Sequence, residues 1–541
     1  MKHLWILFLS CLLPNIGLAQ TDTVFFSNGG GFYDSVFSLK LSNCFPENHI
    51  RYTTNGNRPT AQSLLYSDSL TLDASLFSMS NIHTLHISPE SLVFIPDSIQ
   101  HCIVIRAATF DENDSCTSAV ATQSFFIRAL GCENHNLPVI SICADSLDLF
   151  DFDRGILVPG VHYDSLNIFS GNYYQKGRDW EREVNVEFYE KDGNCGINQV
   201  CGLRTQGFRA RCYPQKGLKV YARKEYGKKR FKYKFFEDSQ VSSFKHLIMK
   251  PFSSLAPYSG VQDYVCNRLA LGLGLEAAHC RPIRLYLNGE YWGLYFLQEK
   301  MDGRYLEDQF GIDIEHCNII KNWNELECGH SEGFLQMMNW LRNADLSLQE
   351  DYDYLSQLID VENFTDYMIL ETFVTNVDWP ANNMRCWQKE GGKWRWMFFD
   401  GDATLTNLEF KVFENATYVG VNTWPTSTEA TLMFRKLLEN HDYRSRFESR
   451  MAELCRDFFS YDNTYPILQQ IMNMIRPEIQ FQSYRFGYPR KLDKWNWACS
   501  LSKNFLKLRT ESYIAEWFSY ISIPSVPTQT GRKSTRKVVK E

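Results

Sequence analysis

The chain has 541 residues, more than one ordinary domain needs, so two or three folding units are expected. Hydrophobic residues make up 44% of it and aromatic residues 15%, enough for substantial buried cores. Lys and Arg total 56 against 63 Asp and Glu, for a net charge of −7. Without a basic excess, nucleic acid is not expected as the main partner.

The first twenty residues, MKHLWILFLSCLLPNIGLAQ, have a short basic start, an apolar run and a small-residue end. This pattern predicts a secretory signal peptide over residues 1–19, cleaved near Ala19-Gln20, and a secreted or extracytoplasmic protein in the periplasm or at the cell surface. A membrane anchor fits less well because the apolar run is short and Pro14 interrupts it; acylation at Cys11 fits less well because apolar sequence follows that residue. No later segment predicts a transmembrane helix.

Fifteen of the 16 cysteines follow the predicted signal peptide. In an oxidising compartment some should pair, and the odd count leaves at least one free or intermolecular. Cys195 and Cys201 flank GINQV, and a disulfide between them would close a small loop. Because no CxxC pair occurs, a structural zinc site is not expected.

Residues 22–130 predict a small antiparallel β-sandwich. Short alternating segments are separated by clusters of Gly, Asn and Asp, without helical periodicity. These segments are SVFSLKLS, IRYTTN, SLTL, CIVIRAATF and SFFIRA.

From about residue 136 the pattern changes to strands followed by helices, which predicts a two-lobed α+β domain over 136–520. A helix is predicted within 259–275, and a hairpin over 283–300 around Asn288-Gly289, a pair typical of type I′ turns. Residues 521–541 have no apolar periodicity and predict a flexible basic tail. Further helical patterns cover 331–346, 361–376, 428–459 and 464–475.

Polar residues interrupt two apolar segments, FVTNVDWPANNMRCWQ and WRWMFFDGDATL. Asp378 and Asn383 are five residues apart, the spacing at which a kinase catalytic loop places the residue that orients the acceptor hydroxyl and a metal ligand. Asp400 follows a hydrophobic strand pattern, Asp402 comes two residues later, and both offer the hard oxygens that Mg²⁺ requires. Taken alone, a loop with Asx-turns explains the same residues, and Asn382 is not excluded as the ligand in place of Asn383.

A basic stretch, GFRARCYPQKGLKVYARKEYG, supplies cations upstream. Lys216 lies at the entrance to a predicted strand, after Arg209 and Arg211, where it could contact phosphates or simply be solvated. Asp263 is the acid within the next helical pattern and is the natural partner for Lys216, although surface capping explains it equally well. Glu299 ends the predicted hairpin, where the hinge of a kinase meets the nucleotide. No glycine-rich loop precedes Lys216, and no P-loop motif occurs.

Four segments together resemble the spore coat protein H (CotH) family of atypical secreted kinases, and the resemblance covers roughly residues 136–520. These are GFRARCYPQKGLKVYARKEYG, YLNGEYWGLYFLQEKMD, VDWPANNMRCWQ and WRWMFFDGDATL. The resemblance implies an atypical protein-kinase-like fold, ATP and Mg²⁺ (or Mn²⁺) as cofactors, and phosphorylation of Ser/Thr-type hydroxyls on surface or extracellular proteins.

Carried over by position, the resemblance gives each residue a role. Lys216 becomes the phosphate-contacting lysine, with Glu299 in the nucleotide pocket and Asp378 as the catalytic acid/base residue. Asn383 becomes a metal ligand, and Asp400 and Asp402 the acidic metal-binding pair, Asp400 being preferred. The family often has Ser after the strand lysine where this chain has Gly217, and the continuation DGDATL lacks the family's bulkier residues.

The N-terminal segment has a separate resemblance. GGGFYDSVFSLKLS, IRYTTNGNRPT and VIRAATFDENDSCTSAV are similar to the small sandwich at the C-terminus of chitobiase and β-hexosaminidase enzymes. A carbohydrate- or surface-binding role is implied as an option, and a plain spacer explains the module equally well.

These features are compatible with three functions. The favoured hypothesis is an active extracytoplasmic kinase, although ATP is scarce outside the cytoplasm. The alternative is a surface adhesin or assembly scaffold that uses a kinase fold without catalysis. The third function, glycoside hydrolysis, is suggested only by the enzymes in which such a sandwich usually occurs. Asp400 and Asp402 are two residues apart on a turn, which does not demonstrate a pair of carboxylates that flank a sugar bond.

Overall fold

The computed structural model describes residues 21–77, 81–89, 96, 99–132, 136–252, 259–421 and 423–522. The predicted signal peptide, at 1–19, and most of the predicted basic tail, at 523–541, lie outside these residues. The described chain is a mixture of helices and strands, which confirms the predicted α+β class. None of its helices is long and apolar enough to cross a membrane.

The N-terminal module (residues 22–130) is rich in short strands, as predicted. A five-stranded sheet has the order β2-β9-β8-β5-β6, and two pairs, β1-β4 and β3-β7, complete the module. The prediction of a wholly antiparallel sandwich is wrong at one edge, because β2 runs parallel to β9. The strands are β1 (Val24–Phe26), β2 (Gly31–Tyr33), β3 (Ser38–Leu39), β4 (Leu41–Asn43), β5 (His49–Thr53), β6 (Leu64–Leu65), β7 (Leu70–Thr71), β8 (Ile103–Phe110) and β9 (Ala121–Ile127).

The next part of the chain forms a closed seven-stranded barrel in the order β10-β11-β12-β13-β16-β18-β17. Neighbouring strands of the barrel are antiparallel except β10 and β17, whose parallel pairing closes the barrel. The elements here are β10 (Val139–Cys143), α1 (Ser146–Phe150), β11 (Arg182–Tyr189), β12 (Cys195–Gln206), β13 (Gly217–Tyr221), β14 (Phe231–Lys232), β15 (Ser243–Phe244), β16 (His246–Pro251), α2 (Gln262–Gly272), β17 (Cys280–Leu287) and β18 (Glu290–Gln298).

Alternation along the barrel strands separates an apolar interior from a polar outer face. The buried interior includes Leu203, Leu218, Val220, Leu247, Met249 and Leu297. Lys219 lies between two of these residues on β13, and Lys250 follows one of them on β16, so both belong to the outer face. The predicted hairpin around Asn288-Gly289 is confirmed, since both residues have positive φ (49° and 87°) between β17 and β18.

Helices dominate the remainder of the described chain. The predicted segments 331–346, 361–376 and 464–475 each correspond to one helix, whereas 428–459 is divided into two, at Leu432–Leu437 and His441–Asp457. A four-stranded sheet, β20-β19-β21-β22, is embedded among them. The elements are α3 (Gly303–Phe310), β19 (Cys317–Lys321), β20 (Glu325–Cys328), α4 (Glu332–Leu341), α5 (Gln349–Leu358), α6 (Val361–Phe373), β21 (Arg385–Lys389), β22 (Arg395–Met397), α7 (Val412–Ala416), α8 (Leu432–Leu437), α9 (His441–Asp457), α10 (Tyr461–Ile475), α11 (Ile479–Phe486) and α12 (Leu492–Ile521).

The helical core extends under the barrel. Helix α2 buries Val265 and Leu269 in the same cluster as residues of α6 and α12. Within that cluster Phe373 stacks on Phe459 with ring centroids 4.0 Å apart. Helix α2 is also the next element after β16. Its burial in this cluster therefore joins the barrel to the helices.

The disulfide considered between Cys195 and Cys201 is wrong. Both cysteines lie on the single extended strand β12, six residues and therefore about 20 Å apart, whereas a disulfide needs Cα atoms within about 7 Å. All fifteen cysteines in the described residues have free thiols.

The N-terminal module contacts the barrel through buried groups. Ile82 and Ile87 belong to the hydrophobic cluster that fills the barrel. The carboxylate of Glu290, on β18, accepts hydrogen bonds from the amides of Ile82 (2.8 Å) and His83 (2.9 Å). These contacts are inconsistent with a loosely tethered module.

Candidate active site

Three separate parts of the chain converge on the outer face of the barrel. The first is the end of β16 with the start of α2, the second is the segment 374–383 after α6, and the third is the segment 398–405 after β22. The convergence follows from the fold, because β16 faces the loops that connect the helices to the four-stranded sheet.

The ammonium group of Lys250 lies among three carboxylates. Its Nζ atom is 2.6 Å from Asp402 Oδ1, 2.7 Å from Asp400 Oδ1 and 3.1 Å from Asp263 Oδ2. One oxygen from each of these three acids lies within 4.8 Å of the others. All four side chains are partly exposed, so the cluster borders solvent.

The charges shift the pKa values of the cluster in opposite directions. Burial favours neutral Lys250, but the three carboxylates outweigh it and raise the pKa of the lysine well above its ordinary value. Burial likewise opposes ionisation of Asp400, yet Lys250 and the hydrogen bonds to this carboxylate lower its pKa. Burial and the charge of Asp400 raise the pKa of Asp402 well above the usual range. Two acids that share one cation thus titrate far apart.

The backbone around Asp400 is shaped to present its side chain. Strand β22 ends at Met397, and Asp400 follows with φ of 65°, in the left-handed region that Asp tolerates better than most residues. The next amide, Gly401 N, donates to Asp263 Oδ1 at 2.8 Å. The Nε2 atom of Gln298 donates to the other oxygen of Asp263 at 2.7 Å. Asp263 therefore links α2, the barrel and the Asp400 segment.

Asp378 is half-buried in the segment after α6. Its amide donates to Asn376 Oδ1 (3.2 Å), and Asn376 Nδ2 donates to Glu371 Oε2 (3.0 Å) at the end of α6. Burial, and secondly the charge of Asp400, raise the pKa of Asp378, whereas a hydrogen bond with Trp424 and the charge of Arg209 lower it less. A carboxylate with a raised pKa is a better proton acceptor than an ordinary Asp.

Asn383 reaches the same region. It has φ of 58°, and its Nδ2 atom lies 3.5 Å from the carbonyl oxygen of Asp400. The Nδ2 atom of Asn382 donates to Asn383 Oδ1 at 2.9 Å. The side chain of Asn383 is thus directed to the Asp400 backbone and that of Asn382 to its neighbour.

Lys216 lies in different surroundings from those expected. It is 1% exposed, donates to the carbonyl of Tyr213 at 2.9 Å, and lies 4.2 Å from the ring centroid of Tyr173. The expected pairing with Asp263 is wrong, since Asp263 pairs with Lys250. The reason is that Lys216 precedes β13, whereas Lys250 ends the strand that leads into α2.

The other predicted cofactor-binding residues divide into two groups. Arg209 is near enough to Asp378 for its charge to lower the pKa of that acid. Arg211 is mostly covered and donates to the carbonyl of Tyr174 at 3.3 Å. Glu299 is 5% exposed, and its carboxylate accepts from Gln309 (2.6 Å) and bonds with His279 Nδ1 (2.7 Å). Glu299 therefore lies in a satisfied buried network.

Sequence reasoning missed Lys250 and Lys219. Lys219 is 7% exposed on β13, and burial together with the charges of Lys300 and Arg204 lowers its pKa to about 7. The signal for Lys250 was present in HLIMKP, a strand pattern whose last polar residue precedes the helix that carries Asp263.

A model of the CotH kinase protein family matches residues 203–513, more than half of the chain. The chain belongs to this family. The match confirms the resemblance drawn from the four motifs, and it begins within β12, so that the first two strands of the barrel precede it. Membership of the family supports a kinase-type function.

A model of the chitobiase/β-hexosaminidase C-terminal domain matches residues 28–82, which confirms the second resemblance. No curated protein sequence matches the chain.

A solved structure of the Shewanella oneidensis MR-1 toxin–antitoxin system, HipA and HipB with its operator DNA, is similar to part of the chain. The identity is 12% and the TM-score 0.21, over 51% of this chain and 60% of that one. A TM-score this low supports no further conclusion about this chain.

Proposed function

We propose that this protein is a secreted, Mg²⁺- or Mn²⁺-dependent kinase that transfers the γ-phosphate of ATP to Ser/Thr-type hydroxyls of a surface or extracellular protein. The observation that carries the proposal is the cluster around Lys250. A strand lysine, an acid on the following helix and an acid after a later strand are the parts that a protein kinase uses to hold nucleotide phosphates. Here they are Lys250, Asp263 and Asp400.

The outer face of the barrel offers further positive charge for the nucleotide. Lys219 lies on β13 directly opposite Ile248 of β16, two residues from Lys250. The pKa of Lys219 falls to about 7 through burial and the charges of Lys300 and Arg204, and a bound anion would oppose that effect. We infer that the ATP phosphates lie against this face.

The donor set fits a hard divalent cation. Asp400 and Asp402 each place an oxygen within 3 Å of the Lys250 ammonium, so a positive charge is already accommodated between them. Asp400, Asp402 and the amide oxygen of Asn383 would hold Mg²⁺ or Mn²⁺. When bound, the ion would supply charge neutralisation on the phosphates.

Asp378 is placed to accept the proton of the acceptor hydroxyl. In the transfer, the hydroxyl oxygen forms a bond to the γ-phosphorus, the bond to the β–γ bridging oxygen breaks, and ADP leaves. The raised pKa of Asp378 favours proton acceptance, and Arg209 limits that rise so that the ionised base remains available. The rate should therefore increase as the pH rises through the raised pKa of Asp378.

The decisive experiment is a transfer assay with γ-labelled ATP, Mg²⁺ or Mn²⁺, and both autophosphorylation and a generic protein acceptor as readouts. Asp378→Asn and Asp400→Asn should each lower labelling by at least about 100-fold. The exposed acid Asp457, changed to Asn, serves as a matched control and should leave labelling unchanged. Labelling that persists in both active-site variants would refute these roles.

One observation favours the alternative, a kinase-fold adhesin or scaffold without catalysis. The Lys250 ammonium bonds to both Asp400 and Asp402, and it thereby satisfies the acids that metal binding requires. Calorimetric titration with ATP and Mg²⁺ distinguishes the two functions, because the scaffold would give no nucleotide-binding heat while the kinase would.

A further inference from the structure

A cavity of about 410 Å³ lies apart from the Lys250 cluster and shares no lining residue with it. It is formed jointly by the N-terminal module, strand β18 and helix α11, and its walls include Phe77, Gln100, His101, Tyr291, Phe481 and Arg485. Its volume falls within the range of small-molecule sites, about 300 to 1,000 Å³. The proposed phosphoryl transfer uses none of these residues, and of the six only Tyr291 lies within one of the four family motifs.

Arg485 is the unusual group in this cavity. Its side chain is 4% exposed, its Nε atom has no hydrogen-bond partner among the described residues, and its guanidinium lies 4.5 Å from the ring centroid of Trp292 and 4.6 Å from that of Phe486. Burial lowers its pKa to about 10. Glu290 attracts it at a distance, but the oxygens of Glu290 are bonded to Ile82 and His83. The two rings stabilise the positive charge, but they do not pair with the guanidinium as a carboxylate would, so an anion could still bind it.

Two more polar atoms in the walls also lack partners among the described residues. They are the hydroxyl of Tyr291, which is 2% exposed, and Nδ1 of His101. Several aromatic rings also line the cavity: Phe77 stacks on His101 at 5.2 Å, and Tyr291 contacts Phe481 edge to face at 6.2 Å. The cavity therefore combines one unsatisfied cation and unsatisfied polar atoms with flat apolar walls.

We propose that this cavity binds a small aryl carboxylate, with its carboxylate on Arg485 and its ring among the aromatic side chains. A carboxylate matches the single unpaired cation, since the planar guanidinium donates two parallel hydrogen bonds to two oxygens. A phosphate dianion fits less well, because the neighbouring Arg284 is already paired with Glu478. The ligand would join the N-terminal module to α11.

Isothermal titration of the full chain with phenylacetate and indole-3-acetate tests the proposal. Both should bind, whereas phenylacetamide, which has the same shape without the charge, should bind at least about 30-fold more weakly. Inorganic phosphate should give no saturable heat. Arg485→Met should weaken carboxylate binding by a similar factor, and a cooperative thermal transition of the variant without ligand checks that it remains folded.

Two controls keep the test decisive. Tyr484, which is 46% exposed at the rim, can be changed to Ala without disturbing the core and should weaken binding several-fold. Arg456→Met, at an exposed arginine, should leave binding unchanged. The proposal is overturned if neither carboxylate binds at millimolar concentration, if the amide binds equally well, or if Arg485→Met binds like the original chain.

Discussion

Lys250 is the residue on which the electrostatics of the proposed active site depend. Three carboxylates surround its ammonium at 2.6 to 3.1 Å, and Asp263 reaches from the helix that directly follows the lysine strand. Removing the cation would leave three acids next to one another, whereas Lys216 donates to the carbonyl of Tyr213 and lies against the ring of Tyr173. The two lysines should therefore respond differently to substitution.

We expect Lys250→Met to lower phosphoryl transfer by at least about 100-fold, because a phosphate-binding cation is lost. Lys216→Met should mainly lower the melting temperature, since its ammonium is buried against an aromatic ring and a carbonyl. Steady-state labelling rates and thermal unfolding of both variants check this. Loss of transfer in Lys216→Met at an unchanged melting temperature would contradict the assignment.

Glu371 should make stability depend on pH. Burial raises its pKa to about 8, and one of its oxygens lacks a partner among the described residues. The stabilisation from its protonated form is complete below about pH 4.5 and is lost as the pH rises towards 8, by about 1.4 kcal/mol per unit. Glu371→Gln keeps the acceptor for Asn376 and should be less sensitive to this rise. Urea unfolding of both proteins at pH 5 and pH 8 measures the difference. If the free energy of unfolding falls equally in both proteins between these pH values, the prediction is refuted.

At this scale the sequence predicted all three acids of the cluster but not its cation. Asp263, Asp400 and Asp402 do meet, and Asp378 and Asn383 lie beside Asp400, because their spacing reflects loops next to regular elements. Lys250 was missed because a lysine that ends a strand has no distinctive neighbours in the sequence. The three acids that surround it lie on α2 and after β22, so these contacts form only in the folded chain.

Among the elements, the segment after β22 combines function with backbone strain. Asp400 has φ of 65° and Leu405 has φ of 56°, so the chain twice enters the left-handed region within six residues. Such residues cost of order 1 kcal/mol each and are retained where the surrounding structure holds them. The amide of Gly401, bonded to Asp263, is one such restraint.

Two substitutions at Asp400 separate the backbone effect from the charge effect. Asn tolerates positive φ, so Asp400→Asn should abolish transfer at little conformational cost, while Asp400→Ala should lose about 1 kcal/mol more stability. Both remove the same charge beside Lys250, so each serves as the control for the other. Chemical unfolding at pH 7 measures the difference, and equal stability of the two variants would contradict the strain.

Strands β19 and β20 bring two thiols close together. The sulfur atoms of Cys317 and Cys328 are 3.9 Å apart, whereas Cys195 and Cys201 are separated along one strand. If the protein is oxidised after export, we expect the first pair to form a disulfide and to gain about 3 kcal/mol from closing a short loop. Peptide mapping without reduction tests this, and a Cys195–Cys201 peptide would contradict it.

Helices were easier to predict than the barrel, for a physical reason. The periodicity within 259–275 is local, and α2 forms where it indicates. The barrel depends on β10 pairing with β17, and no local pattern in VISIC or IRLYL specifies that parallel register. The wholly antiparallel sandwich failed similarly, because the pairing of β2 with β9 links residues almost a hundred positions apart.

On the scale of the whole molecule, the N-terminal module is part of the barrel's support. Ile82 and Ile87 fill the barrel cluster, Glu290 caps the segment that carries Ile82, and Ser124 Oγ bonds to Ser141 Oγ of β10 at 2.8 Å. These contacts bury apolar surface that the barrel would otherwise expose to water.

A chain that begins at residue 136 should therefore be less stable than the full protein by about 3 kcal/mol or more, because two isoleucines no longer cover the barrel. Ile82→Ala in the full chain should reproduce about 2 kcal/mol or more of that loss. Calorimetry should show one cooperative transition for the full protein. Deletion of 523–541 is the control, and a truncated barrel that melts at the original temperature would refute the role of the module.

The parallel pairing of β10 with β17 also sets the order in which the protein can fold. Val139 pairs with Arg284, about 145 residues later, so the first strand of the barrel has no permanent partner on that side until most of the barrel has been synthesised. Contacts this distant in sequence form slowly because a long loop must close first. The N-terminal module and β10 thus emerge well before the surface that they will cover. If the protein is exported as proposed, this delay would help to keep the chain unfolded during its passage through a membrane channel.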